Sequence, residues 1–435
     1  LADWSFALRA LKSPNYRLFF GGQSVSLIGT WMTRVASAWL VYRLTHSAVL
    51  LGVASFAGQI PAFILAPIAG VWVDRWDRHR TLVVTQILSM VQSFALAGLA
   101  LAGIINIHEI IVLAVFQGFI NAFDMPARQS FVVQMVERRE DLGNAIALNS
   151  SMVNAARLIG PALAGMLIGV VGEGWCFLAD GVSYIPVIVS LLLMHIAPQP
   201  PHVRKGSVRE EMVEGWRYVS GSAPIRSILL LLGAASLLGM PYTVLMPVFA
   251  SNILHGGAHT LGFLTAAAGI GALGGAASLA MRKSVLGLGR RIAIANALFG
   301  AGLIAFSRSP FLWLSLTLLV VIGFSSMQQM AACNTILQTI VEDEKRGRVM
   351  SFYAMAFQGM APIGSLLAGL AAARLGAPDT VAAGGVLCMV TSVWFARRLP
   401  GIRTMVRPIY QRLGILPELA LGTQHASELQ TPPQS

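Results

Sequence analysis

The chain is 435 residues long, 55% of them hydrophobic and only 11% Asp, Glu, Lys or Arg, against about 25% charged residues in an ordinary globular domain. That balance excludes an ordinary water-soluble fold, and with 43 glycines and a mean hydropathy of +0.68 the chain reads as an all-α integral membrane protein. The net charge of +12 does not point to nucleic acid, because the basic residues fall in short clusters between apolar runs rather than in one surface patch.

In chain order, residues 1–17 form a cytoplasmic N-terminal segment, of which 4–16 is mildly amphipathic and is expected to lie along the inner membrane surface. No cleavable signal peptide is read, since the first apolar run is too long and lacks a small-residue cleavage site after it. Runs at 18–42, 49–73, 82–105, 110–133, 145–171 and 175–196 give six spans, a bundle over 18–196. Residues 197–224 hold Pro198, Pro200 and Pro201 and then the amphipathic run 208–219, a cytoplasmic linker with one surface helix. Runs at 225–250, 261–281, 292–306, 311–340, 349–373 and 381–395 give a second bundle over 225–399, and 400–435 is a polar cytoplasmic tail whose end is expected to be disordered. Cys176, Cys333 and Cys388 all lie in apolar runs, so no disulfide framework is legible.

Placing every Lys and Arg on this scheme tests the number of spans. On one side lie 26 of the 31, on the other only Arg43, Arg308 and Arg374, with Arg34 and Arg157 inside spans. The excess of positive charge predicts that both termini are cytoplasmic.

The halves also resemble each other. A shift of 205 superposes Gly118-Phe119 on Gly323-Phe324, Met125 on Met330, Ala127 on Ala332 and Val136-Glu137 on Val341-Glu342, and a shift of 201 places Ser150 over Ser351 and Pro161 over Pro362. Parallel repeats of this kind are the sequence trace of alternating-access transporters.

The turn between the second and third runs reads Gly70-x-x-x-Asp74-Arg75-x-Asp77-Arg78-x-Arg80. It resembles the signature loop of the major facilitator superfamily, and the six-plus-six split around a central linker extends the resemblance over nearly the whole chain. Two positions depart from the family pattern: Asp77 stands where Gly is usual, and His79 interrupts the basic pair. Arg157-Leu-Ile-Gly160-Pro161-Ala-Leu-Ala-Gly165 resembles the Gly-Pro motif of the superfamily's exporter branches. The stretches Ser13-Pro-Asn-Tyr-Arg17, Ser26-Leu-Ile-Gly29-Thr-Trp31 and Asp124-Met-Pro126-Ala-Arg128 look like the twelve-span efflux group of enterobactin and macrolide exporters.

This resemblance implies twelve transmembrane helices in two pseudosymmetric six-helix bundles, the major facilitator fold, with proton-driven antiport of a drug or siderophore. It also implies that Asp74, Arg78 and Asp124 form a cytoplasmic gate, with Gly70, Arg75, Arg80 and Arg128 in the same constellation. A static salt bridge stabilising the first half is the plainer reading of Asp124.

Four charges lie inside spans, Arg34, Asp124, Arg157 and Asp180, and each would cost about 2.5–3.5 kcal/mol at a lipid-exposed centre, so all must face protein or a wet cavity. At 1.5 Å per residue, Arg34 sits about 24 Å along its span from Leu18 and Asp180 about 8 Å from Trp175, both in the outer half. They form an ion pair, or Asp180 takes up the coupling proton. Arg157 either faces a substrate cavity, where it would attract an anionic or polyphenolic molecule, or caps carbonyls freed near Pro161. Gln59, Gln117, Asn121, Asn154, Gln328, Gln329, Asn334 and Gln358 are further cavity candidates, unless they serve as interhelical glue.

Other motifs are set aside. Gly269-x-Gly271-x-x-Gly274 lies in an apolar span with no strand before it, so close helix packing is expected there rather than a dinucleotide site. His255 and His259 lack a third metal ligand. No nucleophile, metal cluster or acid/base pair suggests a membrane-embedded enzyme. The reading is a multi-pass plasma (inner) membrane transporter, a proton-coupled exporter of a small organic molecule. It needs no cofactor beyond the proton gradient and engages substrate, protons and the lipid bilayer but no nucleic acid; the sequence leaves the oligomeric state open, a monomer being the expectation. An importer, and a non-transporting receptor or scaffold, are the alternatives.

Overall fold

The computed structural model describes residues 8–196, 208–282, 284–413 and 415; the side chains of 66, 67, 70, 71, 74, 75 and 208–211 lie outside that description. The described chain is helical. The first bundle comprises α1 (Pro14–Thr45), α2 (Ala48–Arg75), α3 (Arg78–Leu101), α4 (Ile107–Met135), α5 (Leu142–Val171) and α6 (Glu173–Leu193). A surface helix, α7 (Val208–Gly221), leads to α8 (Ala223–Ile253), α9 (Ala258–Ala280), α10 (Leu288–Ser307), α11 (Leu312–Ile340), α12 (Asp343–Leu375) and α13 (Ala377–Arg412). Short turns separate the spans, and polar residues at them satisfy the first amides of the next helix. Ser47 accepts from the Leu50 amide, Asp77 from those of His79 and Arg80, and Asn106 forms a capping box with Glu109.

Eleven of the described helices are long and apolar enough to cross a membrane on their own composition. The remaining span, α1, carries Gln23, Ser26, Thr30, Thr33 and Arg34. It packs against α5 and α6 with Gln23 and Ser26 buried, so its polar side chains face protein, as the cost of exposing them to lipid demands.

The repeat inferred from sequence reappears in the packing. In the first half α2 packs on α4 and α3 on both α4 and α6; in the second, α9 packs on α11 and α10 on both α11 and α13. Equivalent glycines do equivalent work. A Cβ on Gly118 of α4 would stand 2.7 Å from the Gly58 carbonyl oxygen of α2, and one on Gly323 of α11 only 2.0 Å from the Ala268 carbonyl oxygen of α9. The Gly269–Gly274 stretch is likewise a helix contact: a Cβ on Gly271 would lie 1.9 Å from the Val320 carbonyl oxygen.

Two seams join the halves, α2 against α12 and α5 against α9. Along the first, Gly52 meets Ser365 and Gly369, and deeper in Phe63 covers Gly359; along the second, Gly165 meets Ala258 and Gly262, and deeper in the Arg157–Leu158 backbone meets Gly269. These contacts run from the face that holds Arg43, Arg308 and Arg374 to about mid-depth. Toward the opposite, basic face, the first part of α12 (Asp343–Ala354) packs on α7, α8 and α11 within its own half. There α5 exposes Ser150 and Ser151, a polar surface that marks a water-filled cleft rather than lipid.

Two boundaries differ from the sequence expectation. The N-terminal helix begins at Pro14, and the preceding turn Arg9–Lys12 is seated on the α4–α5 connection: Arg9 pairs with Asp141 at 3.0 Å and the Ala10 amide donates to Asn144 at 3.0 Å. Residues 8–13 are therefore held by protein contacts, while 1–7 lie outside the described residues. α13 continues to Arg412 through Pro400 and Pro408, well into the stretch read as tail, because Leu399, Ile402 and Val406 remain buried against the second bundle. Tail residues 416–435 lie outside the described residues.

Gly271→Ala is expected to lower the thermal unfolding midpoint of the detergent-purified protein by several degrees, since overpacking of this kind costs about 1–3 kcal/mol. Gly98→Ala, which meets no atom within 4 Å, is the matched control and should leave the midpoint unchanged. Equal midpoints for the two variants would contradict the α9–α11 contact.

Candidate functional site

Between the halves at mid-depth lies a small recess, open at its mouth. Arg157 of α5 enters it from the first half; Ser236 and Met240 of α8, Phe299 of α10, Met327, Gln329 and Met330 of α11 and Phe357 of α12 line it from the second. The Arg157 guanidinium also lies over the indole of Trp31, 5.7 Å from its centroid, and Arg34 lies over the same indole at 4.7 Å, both within cation–π range. Gly160 makes this possible. Its missing Cβ would fall 2.5 Å from Trp31 Cβ and 2.9 Å from the Ile28 carbonyl oxygen, so α1 and α5 touch backbone to backbone and bring Trp31 beside Arg157.

Arg34 does not pair with Asp180. Among the described residues neither Arg34 nor Arg157 has a carboxylate or hydrogen-bonding partner, and Asp180 is held elsewhere. Its Oδ2 accepts from Ser93 Oγ of α3 at 2.9 Å, while Oδ1 has no partner and lies where a Cβ on Gly29 would come within 2.7 Å. Asp180 is thus sealed among α1, α3 and α6, only 2% exposed. The spacing along the helices placed both residues in the outer half, but the helix rotation that aims Arg34 at Trp31, three residues earlier on the same face, separates them.

The second expected charge cluster is an internal brace. Asp124 of α4 accepts from Thr85 Oγ1 at 2.9 Å and Gln86 Nε2 at 2.7 Å, both on α3, and pairs with Arg128 one turn on. The two departures from the signature loop have local structural roles. Asp77 caps α3, with Arg80 3.9 Å from it, and His79 Nε2 donates to the Leu191 carbonyl oxygen of α6 at 2.7 Å while its ring packs on Phe131 of α4. Arg78 opens α3 in this turn. Gly70, Asp74 and Arg75 are in the last turns of α2, their side chains outside the described residues.

Comparison with known proteins bears on this architecture. The family model of transmembrane secretion effectors matches residues 5–408. The chain belongs to that family, within the major facilitator superfamily. The family consists of transporters rather than enzymes. A staphyloferrin A transporter of Staphylococcus aureus is 25% identical over 390 residues, 88% of this chain and 96% of its own length. The enterobactin exporter EntS of Escherichia coli is 26% identical over 405 residues, 91% of this chain and 96% of its own. The multidrug efflux pump Tap of Mycolicibacterium fortuitum is 27% identical over 349 residues, 78% and 85%. Among solved structures, a bacterial homologue of the human lysosomal transporter Spinster, inward-facing and unoccupied, superposes with a TM-score of 0.65 at 16% identity, covering 94% of this chain and 99% of that one. The nucleoside transporter NupG superposes at 0.69 and 12% identity, covering 88% and 99%. At those identities the likeness concerns the fold.

Within this family member the remaining candidates divide. Gln329 lines the recess and Gln358 is exposed on α12 beside it. Gln328 instead donates to the Gly275 carbonyl oxygen at 3.1 Å, tying α11 to α9, and Gln117 donates to Ser89 at 3.2 Å and to Asn121 at 3.1 Å. Gln59, Asn154 and Asn334 bond within their own helices, to Ser55, Ser150 and Gln338. Sequence reasoning passed over Trp31 as a site residue, although its spacing from Arg34 was the available signal. It also missed a pair of π-helical turns at the recess, Ala235–Gly239 in α8 and Met355–Gly359 in α12, which are linked by the Ser236 hydroxyl donating to the Phe357 carbonyl oxygen. No group of three His, Cys, Asp or Glu among the described residues could hold a metal.

Asp124→Asn strands Arg128, whose side chain is 23% exposed. Breaking a largely buried pair by removing one partner costs about 3 kcal/mol. The variant should unfold at lower temperature, and Asp124→Asn with Arg128→Gln should recover most of the loss. A double variant no more stable than the single one would show that Arg128 is satisfied without Asp124.

Proposed function

We propose that this protein is a proton-driven exporter that moves a siderophore or drug-like small molecule out of the cytoplasm by alternating access. The observation that carries the reading is the one-sided contact between halves: among the described residues the glycine contacts of the seams α2–α12 and α5–α9 run from one face to mid-depth. By the positive-inside rule the basic face is cytoplasmic and both termini lie in the cytoplasm, so the described conformation admits substrate from the cell interior. Rocking the halves about the mid-depth contacts would close that side and open the other. Outward direction is supported by the Gly160-Pro161 motif and by relatives named as an enterobactin exporter and a multidrug efflux pump.

A gate on the cytoplasmic side fits the same cycle. Gly70, Asp74, Arg75, Arg78 and Arg80 end α2 or begin α3 at the basic face, and Asp124 with Arg128 braces α3 against α4 behind them. The brace keeps the turn in place as a rigid unit that the second half closes upon.

For proton coupling, Asp180 is the better carboxylate. Neutralising Asp124 would strand Arg128, whereas Asp180 faces no cation, so a proton there leaves no opposite charge unpaired. Its sealed position requires α1 and α6 to part at Gly29 before the proton can exchange, which ties protonation to helix movement.

The test is a reconstituted proteoliposome with an acidic lumen and a trapped pH dye, challenged with a catecholate siderophore, a macrolide and a cationic dye. One of them should discharge luminal protons in the native protein and not in Asp180→Asn. Discharge that persists in the variant moves coupling to another carboxylate, and substrate movement without proton movement refutes antiport.

A further inference from the structure

We infer that the transported molecule is a compact organic dianion, held at mid-depth by Arg34 and Arg157 together. This rests on the exporter reading for its biological direction, and on four observations for its chemistry. First, the two guanidiniums stand over one indole, at 4.7 and 5.7 Å from its centroid, close enough to repel each other. Second, among the described residues neither has an ion pair or hydrogen bond, whereas the buried acids of the first bundle are answered, Asp124 by Arg128, Glu173 by Arg43 and Asp180 by Ser93. Third, Arg34 is exposed and Arg157 part-exposed, and Arg157 itself lines the recess, so neither guanidinium is sealed inside protein. Fourth, the opposite wall offers no competing acid: it is Met240, Phe299, Met327, Met330 and Phe357 with the neutral Ser236 and Gln329.

Two unpaired positive charges in the middle of a membrane are costly to maintain, and they are useful where a ligand supplies the missing negative charge. A monoanion neutralises one guanidinium and leaves the other uncompensated; a cation meets only repulsion. Two carboxylates, or two acidic phenol or hydroxamate oxygens on a short scaffold, satisfy both forks with charge-assisted bidentate bonds. The apolar wall of methionines and phenylalanines accepts whatever carbon skeleton joins them, and methionine's flexibility tolerates variation in its shape. Trp31 keeps the two cations at a fixed separation. Gly160, by allowing α1 and α5 to touch, sets where that ring stands.

The experiment is equilibrium binding to the full chain in lipid nanodiscs without any gradient, by calorimetry at neutral pH, using three probes of one size: phthalate, benzoate and benzyltrimethylammonium. Phthalate should bind at least tenfold more tightly than benzoate, and the cation should not bind. Arg34→Gln and Arg157→Gln should each bring phthalate down to the level of benzoate, while Arg34→Lys and Arg157→Lys, which keep the charge, should retain a preference for phthalate and report that the site is folded. Equal affinities for phthalate and benzoate, tight binding of the cation, or undiminished phthalate binding in both Gln variants overturns the inference. The exporter reading stands or falls separately: if a cationic dye drives proton discharge in liposomes and the Arg variants leave that discharge intact, the exporter remains and the dianion site is gone. If phthalate binds as expected yet no substrate moves, the site remains and export is refuted.

Discussion

Backbone-to-backbone contact at glycine is the constraint on which this molecule depends. Lipid is as apolar as a leucine side chain, so helices in a membrane gain nothing from burying apolar surface against one another and must associate through close van der Waals approach. Gly118 and Gly58, Gly323 with Ala268, Gly271 with Val320, and Gly160 with Ile28 and Trp31 set the spacing within each half; Gly52 with Gly369 and Gly165 with Gly262 set it between halves. The seams between halves are the ones a transporter must break and remake, and small surfaces free of interlocking side chains can part without repacking a core.

Polar groups follow a second rule, that the buried charges and amides of each bundle find most of their partners within their own half. Asp124, Thr85, Gln86 and Arg128 close among themselves, Asp180 is answered by Ser93, and Asn296 donates to the Cys388 carbonyl oxygen of α13 at 2.8 Å. Each half can therefore move nearly as a rigid body; the hydrogen bond between Tyr42 of α1 and Asn252 of α8 is one that crosses between them. Arg157 departs from this rule, projecting from the first half into a recess walled by the second, which is where a ligand bridging the halves would lie.

The twelve spans, their pairing into halves and the surface helix were legible because lipid imposes length and apolarity on each segment and clusters of basic residues mark the turns between them. α1 reads as an apolar run over 18–42, although its polar residues keep it from being apolar enough on its own composition. Side-chain partners were not. Arg34 and Asp180 had matching depth and opposite charge, yet helix rotation decides contact, and the rotation of α1 is fixed by where Gly22, Gly29 and Gly160 allow close approach. Of the glutamines and asparagines in the spans, Gln329 faces the recess and Gln328, one position away, ties two helices. Hydropathy assigns both the same polarity and gives no angle.

The two halves solve one problem differently, and the difference falls at the site. Pro161 and Pro362 occupy repeat-equivalent positions, and each proline removes the amide that would bond the carbonyl four residues back, those of Arg157 and Gln358. In α12 the chain widens into a π-helical turn at Met355–Gly359 and the Ser236 hydroxyl takes up the neighbouring Phe357 carbonyl, a local adjustment of the kind that re-satisfies backbone around proline in membranes. In α5 the helix stays regular, and the Arg157 carbonyl faces α9 where a Cβ on Gly269 would lie 3.3 Å away. The Arg157 side chain is consequently not spent on capping its own helix. It is free to reach the recess, and the asymmetry between an arginine on one side and Gln358 on the other places the positive charge on the half that also carries Trp31 and Arg34. A substrate held there is gripped by the first half and merely covered by the second, so the second half can swing away from it on either side of the membrane without first breaking an ion pair.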